Sequence, residues 1–112
     1  MRDNALGRLK QGVMNKTEAE YALQLEALKQ AGEIQWYKFE GIKFRLANSC
    51  FYNPDFAVLR SDGMMEIHEV KGFWRDDAKV KIKVASELYP FVFKAVFKLP
   101  NKRGGGWEYV DF

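Results

Sequence analysis

The sequence predicts an α/β fold, because segments with helical periodicity alternate with shorter segments that have the composition of strands. Two stretches are predicted as helices, near residues 17–31 and 78–89, and four or five apolar runs are predicted as strands. At 112 residues the chain is long enough for one domain with a modest core. With 47% hydrophobic and 15% aromatic residues, it has the composition of a folded protein rather than a disordered one.

The first 14 residues show no clear period and carry Arg2, Arg8 and Lys10 between glycines. We predict a flexible basic arm over residues 1–14 and a single domain over residues 15–112. Two interpretations of the arm stay open, a contact with a phosphate backbone and a terminus without fixed structure.

The first helix is predicted to begin near Asn15 or Thr17 and to end near Ala31, before the C-terminal signal of Gly32. Glu18 lies on the apolar stripe of this helix, where a carboxylate needs a partner. Either Glu18 closes a capping box with Asn15, or it faces a metal ion. The stripe itself consists of Tyr21, Ala22, Leu25 and Leu28.

Strands are predicted next over residues 34–39 and 42–46, with Glu40-Gly41 as the turn between them. The second of these alternates apolar and charged residues, which is typical of a half-buried strand. Residues 47–51 are predicted as a loop.

The segment from Tyr52 to Gly72 is predicted as a β-hairpin. The apolar runs FAVL and MMEI flank Ser61-Asp62-Gly63, and a three-residue loop that ends in a left-handed glycine is a common hairpin connection. This loop pairs Arg60 with Met64. A two-residue loop would shift the register by one position and place Asp55 on the opposite face from Glu69.

The predicted register places Asp55 opposite Glu69, on the same face as Lys71. Each of these charged residues alone is compatible with a hairpin end that simply reaches solvent. Together they form a pattern typical of a small metal site with a cation beside it. Hard oxygen ligands select Mg²⁺ or Mn²⁺.

The second helix is predicted over residues 78–89, with Asp76 or Asp77 as its N-cap and Pro90 as its stop. The run KVKIKV also alternates with period two, as a strand does. A helix is favoured because four residues share one helical face, namely Ile82, Ala85, Leu88 and Tyr89.

The last elements are a predicted strand over residues 91–98 and an aromatic tail. Lys94 and Lys98 occupy one face of this strand and the other face is apolar. After three glycines, the segment from Trp107 to Val110 is predicted to add an edge strand or to dock on a partner chain. No helix follows the glycines, which excludes a phosphate-cradling loop.

Other classes of site find less support. His68, the one histidine, lies on the face opposite Asp55 and is predicted to have a surface or packing role. Zinc sites and nucleophile triads lack the necessary residues. The one cysteine, Cys50, fits a reducing cytoplasm. No apolar run approaches the roughly 20 residues of a membrane span, and no secretory signal opens the chain.

The net charge of +3 is unevenly distributed along the chain. Residues 1–16 and 71–103 carry +3 and +6, whereas residues 17–70 and 104–112 carry −4 and −2. A basic excess on both sides of an acidic centre suits a phosphate-binding surface around a cation-binding pocket.

Pro54-Asp55 followed by Glu69-Val70-Lys71 resembles the signature of the PD-(D/E)xK nuclease superfamily. The flanking residues, YNPDF and EVKGFW followed by two aspartates, resemble more closely the phage endonuclease I family of Holliday-junction-resolving enzymes and a family of small phage proteins. The resemblance covers roughly residues 15 to 97.

This resemblance implies a restriction-endonuclease-like core, with a central mixed sheet of four or five strands and a helix on each side. It implies a metal-dependent DNA endonuclease, encoded by a phage and acting in the host cytoplasm. The implied catalytic residues are Glu18, Asp55, Glu69 and Lys71. The implied ligands of Mg²⁺ or Mn²⁺ are Asp55, Glu69, the Val70 carbonyl and, for a second ion, Glu18.

The expected partners are branched DNA and a second copy of the chain. Candidate DNA contacts are Lys16, Arg75, Lys79 and Lys83. Lys79 and Lys83 lie one helical turn apart, and a merely solvated face is an equally good interpretation of them. A general DNA nickase and an inactive nucleic-acid-binding module stay open as alternatives.

Overall fold

The computed structural model describes residues 12–72 and 76–112, with the side chains of Asp76 and Arg103 excepted. These ranges contain two α-helices, α1 (Lys16–Gln30) and α2 (Asp76–Leu88). Seven strands accompany them in the described residues: β1 (Ile34–Phe39), β2 (Phe44–Ala47), β3 (Cys50–Tyr52), β4 (Phe56–Arg60), β5 (Met65–Lys71), β6 (Val92–Lys98) and β7 (Trp107–Asp111). A 3₁₀ helix (Asn101–Arg103) precedes β7.

Most of the predicted basic arm, residues 1–11, lies outside the described residues. The part of the arm that the structure describes begins at Gly12. The backbone N–H of Gly12 donates a hydrogen bond to the carboxylate of Glu40 at 2.7 Å, so this part contacts the domain.

Five strands form one mixed sheet in the order β1-β4-β5-β6-β7. Strands β5 and β6 are parallel and are joined through α2, whereas the other neighbours are antiparallel. The predicted α/β class and mixed sheet are therefore confirmed.

A helix packs on each face of this sheet, because side chains of its strands alternate between the two faces. Tyr21 and Leu25 of α1 are buried in one cluster, together with Phe56, Val58, Val70 and Val96. Ile82 and Ala85 of α2 are buried in the opposite cluster, together with Ala57, Ile67 and Phe93. The same alternation places charged residues of β5 on both sides of the sheet.

The capping interpretation of Glu18 is confirmed. Asn15 is the N-cap of α1, and its side chain accepts a hydrogen bond from the backbone N–H of Glu18 at 2.8 Å. The Glu18 carboxylate accepts one from the backbone N–H of Asn15 at 2.9 Å. At the other end, Gly32 adopts a positive φ of 80°, which a residue with a Cβ rarely adopts.

The register of the β4–β5 hairpin is also as predicted. The N–H of Arg60 donates to the carbonyl of Met64 at 2.9 Å, and Gly63 has a φ of 89°. The last paired residues are Phe56 and His68, so Asp55 follows at the level of Glu69. The loop therefore determines which side chains meet at the far end of the hairpin.

The helical interpretation of residues 78–89 is confirmed, with corrected details. The helix begins at Asp76, so Asp76 and Asp77 lie in its first turn rather than before it. Leu88, expected on the buried face, is 54% exposed. Leu88, the last residue of α2, does not share the helix face of Ile82 and Ala85, which are fully buried against the sheet.

The region between β1 and β4 departs most from expectation. The strand predicted over residues 42–46 begins at Phe44, and the predicted loop over 47–51 contains most of β3. Strands β2 and β3 pair with each other in a separate two-stranded sheet beside α2. Their reversal is too short for the period-two pattern to reveal, and Ser49 within it has a φ of 59°.

The aromatic tail forms the edge strand β7, which confirms one of its two predicted roles. It pairs antiparallel with β6, and Trp107 lies opposite Lys98. No helix in the described ranges is long and apolar enough to cross a membrane.

Candidate active site

Three elements bring four charged side chains together at one end of the sheet. Glu18 comes from the first turn of α1, Asp55 from the residue before β4, and Glu69 and Lys71 from the carboxyl end of β5. All four are the catalytic residues expected from the sequence.

Asp55 is held by backbone hydrogen bonds from both neighbouring strands. Its carboxylate accepts from the N–H of Val70 at 2.8 Å, and its own carbonyl accepts from the N–H of Glu40 at 2.7 Å. Pro54, which precedes it, is fully buried. Asp55 is therefore placed by the sheet rather than by a loop.

Glu69 is only 7% exposed, and each of its carboxylate oxygens has one partner. The hydroxyl of Tyr52 donates to Oε1 at 2.7 Å, and Nζ of Lys71 lies 3.1 Å from Oε2. A carboxylate offers about four lone-pair sites, so acceptor capacity remains on both oxygens.

Glu18 serves the helix cap and the site at once. Besides its bond to the Asn15 N–H, its carboxyl group is near enough to Asp55 to help raise the pKa of that carboxyl. The two interpretations of Glu18 are therefore compatible, because the cap occupies Oε1 and a carboxylate has further acceptor capacity.

The electrostatics of Asp55 are unusual. Burial, followed by the negative charges of Glu69 and Glu18, raises its pKa to about 9, and the hydrogen bond from Val70 opposes this only in part. Among the described residues, one ammonium group, that of Lys71, accompanies three carboxyl groups. In this part of the chain, acidic groups at the site therefore outnumber basic ones.

The donor set fits a hard divalent cation. In residues 12–72 and 76–112, no three His, Cys, Asp or Glu side chains are arranged as they stand to hold a metal ion. Mg²⁺ does not require three, since it usually keeps several waters and binds through one or two carboxylates plus substrate phosphates. Asp55 and Glu69 would be the two carboxylates of such a site, and the excess of acidic groups among the described residues would favour a cation there.

Two of the candidate DNA contacts belong to the first turns of the two helices. Lys16 begins α1, two residues before Glu18, and Lys79 lies in the first turn of α2. Lys79 and Lys83 are exposed, whereas Arg75 lies outside the described residues. The arrangement leaves Lys16, Lys79 and Lys83 accessible to a ligand.

Tyr52 is the site residue that sequence reasoning missed. Its side chain is 5% exposed and its hydroxyl contacts Glu69. The sequence offers one chemical signal for this role, because the hydroxyl of a tyrosine that packs in a core needs a hydrogen-bond partner.

A second polar cluster lies on the opposite face of β5. His68 is 3% exposed, with Nε2 at 2.8 Å from Glu66 and Nδ1 at 2.7 Å from the hydroxyl of Tyr21. The Tyr21 hydroxyl in turn donates to that of Tyr109 on β7 at 3.1 Å. This confirms packing, rather than surface exposure, as the role of the histidine.

Comparison with known proteins yields no relative: no protein-family model matches, and no curated protein or solved structure is similar to this chain. The family expected from the motif therefore stays a prediction.

Proposed function

We propose that this protein is a metal-dependent DNA endonuclease that hydrolyses phosphodiester bonds and acts on branched DNA. The observation that carries the proposal is the convergence of Glu18, Asp55, Glu69 and Lys71 at one end of the sheet, with more acidic groups than the described residues neutralise. A purely structural cluster gains nothing from such an excess.

Each of the four residues has a proposed role. Asp55 and Glu69, with the carbonyl of Val70, hold Mg²⁺ or Mn²⁺, and Glu18 supports them or helps to hold a second ion. A bound ion supplies Lewis-acid activation of water and neutralises charge at the phosphate. The Lys71 ammonium donates a hydrogen bond to the attacking water or to a phosphate oxygen. Water adds to phosphorus, one P–O ester bond breaks, and the leaving oxygen takes up a proton.

The exposed cations Lys16, Lys79 and Lys83 contact the DNA backbone in this proposal. Arg75 retains the same role as a sequence prediction. Phosphate contacts contribute affinity without base specificity, so recognition depends on the shape of the DNA.

Branched DNA and a dimer follow from the geometry of the reaction. One chain offers one such site, whereas resolving a four-way junction takes two incisions in opposed strands. A homodimer with a two-fold axis matches that symmetry.

The test is a cleavage panel of linear, nicked, single-stranded, flapped and four-way-junction DNA with Mg²⁺ or Mn²⁺. We expect paired cuts in the junction, tighter binding of the junction than of linear duplex with the same arms, and a dimer by sedimentation. D55N and EDTA are the controls. Absence of metal-dependent cleavage on every substrate would overturn the proposal.

Two further outcomes distinguish the alternatives. A monomer that nicks linear duplex equally well would be a general nickase. DNA binding without cleavage would indicate an inactive binding module, an alternative favoured by the partners that both Glu69 oxygens already have.

A further inference from the structure

Tyr52 approaches the site from outside the main sheet. It lies on β3, and its ring packs in the α2-side cluster beside Phe44, with the two ring centroids 6.4 Å apart. Its hydroxyl donates to Oε1 of Glu69 at 2.7 Å. A residue of the two-stranded sheet therefore determines the position of one oxygen on the central sheet.

The direction of the hydrogen bond between Tyr52 and Glu69 is defined. Tyr52 is the donor, because an ionised carboxylate only accepts hydrogen bonds and a phenol carries an O–H. Lys71 contacts the other oxygen of the same carboxylate. Two donors, one on each oxygen, thus restrain a carboxylate that would otherwise rotate about its last side-chain bond.

The β2–β3 hairpin is itself attached to α2. Nζ of Lys81 donates to the carbonyl of Phe51 at 3.2 Å, and the Tyr89 hydroxyl donates to the carbonyl of Arg45 at 2.5 Å. Arg45 and Phe51 are paired across the hairpin, so the position of the Tyr52 hydroxyl depends on contacts of both β2 and β3.

We propose that Tyr52 is a positioning residue of the active site, which orients Glu69 so that its free lone pairs face Asp55 and the cation. This inference rests on the proposed function. It extends that function by making the two-stranded sheet, which carries none of the four charged residues, a necessary support of the metal ligand.

A structural alternative is that Glu69 merely satisfies a buried hydroxyl. The chain offers a matched control, because the hydroxyl of Tyr37 also donates to a glutamate, Glu26, at 2.7 Å. That pair lies on β1 and α1, away from the four charged residues. Phenylalanine at either position removes one oxygen and keeps the ring.

The experiment compares the wild type with Y52F and Y37F. Single-turnover cleavage of the four-way junction is measured across a Mg²⁺ and Mn²⁺ titration, and thermal unfolding is measured in EDTA and at each metal concentration. Unfolding in EDTA also verifies that each variant folds.

For Y52F we expect a 10- to 100-fold loss in cleavage rate, or in the metal concentration needed for half-maximal rate, about the usual effect of removing a partner of a metal ligand. Metal should also raise the melting temperature of Y52F by less than it raises that of the wild type. Y37F should keep the wild-type values for both, whatever its stability in EDTA.

The outcomes separate this inference from the proposed function. A Y52F variant that cleaves and responds to metal as the wild type does, even with a lower melting temperature, would overturn the positioning role alone. A wild type that neither cleaves DNA nor gains stability from metal would overturn the proposed function and this inference together.

Discussion

Glu66 and Glu69 lie three residues apart on β5, on opposite faces of the sheet, and each is 7% exposed. They are equally buried, yet their surroundings are opposite in charge. Their comparison separates a carboxylate that stabilises the fold from one that is available for chemistry.

One histidine and two cations surround the Glu66 carboxylate. Nε2 of His68 lies at 2.8 Å, Arg60 at 3.3 Å and Lys94 at 3.8 Å from its oxygens. Burial alone would raise the pKa of Glu66, but these groups outweigh burial and hold the pKa below its ordinary value. Its charge is balanced within the chain.

Glu69 lies in the opposite situation. Its one cationic neighbour is Lys71 among the residues that the structure describes, while Asp55 and Glu18 add two further carboxyl groups. Together with burial, this excess of negative charge raises the pKa of Asp55. The paired charges around Glu66 stabilise the fold, whereas the unpaired carboxyl groups around Glu69 destabilise it. The Glu69 site therefore needs a cation from outside the chain. Burial alone does not distinguish the two glutamates; the balance of charge does.

The largest expected effect is on catalysis. D55N, E69Q and K71M should each lower the cleavage rate by about 10³-fold or more, because each removes a charge that acts at the reacting phosphate. DNA affinity should stay within about tenfold, because dispersed cations supply it. Single-turnover cleavage and binding titrations measure the two effects. E66Q, assayed below its melting temperature, is the control on the opposite face and should cleave normally. Full activity in any of the first three variants would end the catalytic assignment.

The next largest effect is the loss of stability expected when Glu66 is substituted. E66Q should lower the free energy of unfolding by about 1–3 kcal/mol, because it leaves His68 and two cations without their common anion. The pKa of Glu66 is lower in the folded state, so this contribution is present above the unfolded pKa and is lost as the pH falls through the folded value. Urea unfolding at pH 7 and at low pH measures the difference. An equal effect at both values would contradict this account.

Asp55 should show the reverse pH dependence. Its folded pKa of about 9 exceeds the ordinary 3.8, so the folded state retains a proton and loses stability as the pH rises between these values. In EDTA, D55N should therefore match the wild type near pH 4 and be more stable by about 1–2 kcal/mol at pH 9. Thermal unfolding across this range is the measurement. A D55N variant less stable than the wild type throughout would show that the negative charges are balanced.

The smallest expected effect concerns Glu18, which takes part in both the fold and the site. E18Q should change the unfolding free energy by less than about 0.5 kcal/mol, since glutamine also serves at this position of a capping box. Cleavage should fall about tenfold, or require more metal, because a charge near Asp55 is lost. Melting curves and a metal titration of cleavage separate these quantities. Normal activity at ordinary metal concentration would leave Glu18 with the capping role alone.

The elements that could be predicted depend on neighbours in the sequence. The α1 cap needs only Asn15 and Glu18, and the β4–β5 register needs only the loop that ends at Gly63. The region of β2 and β3 could not be predicted equally well. Its strands pair with each other and pack on α2, and this choice depends on an element more than twenty residues away.

The sequence by itself determined that Asp55, Glu69 and Lys71 share one end and one face of a hairpin, because a short loop and a period of two leave one register that buries the apolar strip. Only the tertiary structure decided which partners these charges receive. Tyr52 reaches Glu69 across 17 positions, and Tyr21 reaches His68 across 47. Glu66 and Glu69 have the same residue type and the same burial, and each has a partner two residues along the chain, His68 for Glu66 and Lys71 for Glu69. They differ in the distant groups that packing adds, which are the cation Lys94 at Glu66 and the Tyr52 hydroxyl at Glu69. This non-local part of the charge balance is not encoded in any local pattern of the sequence.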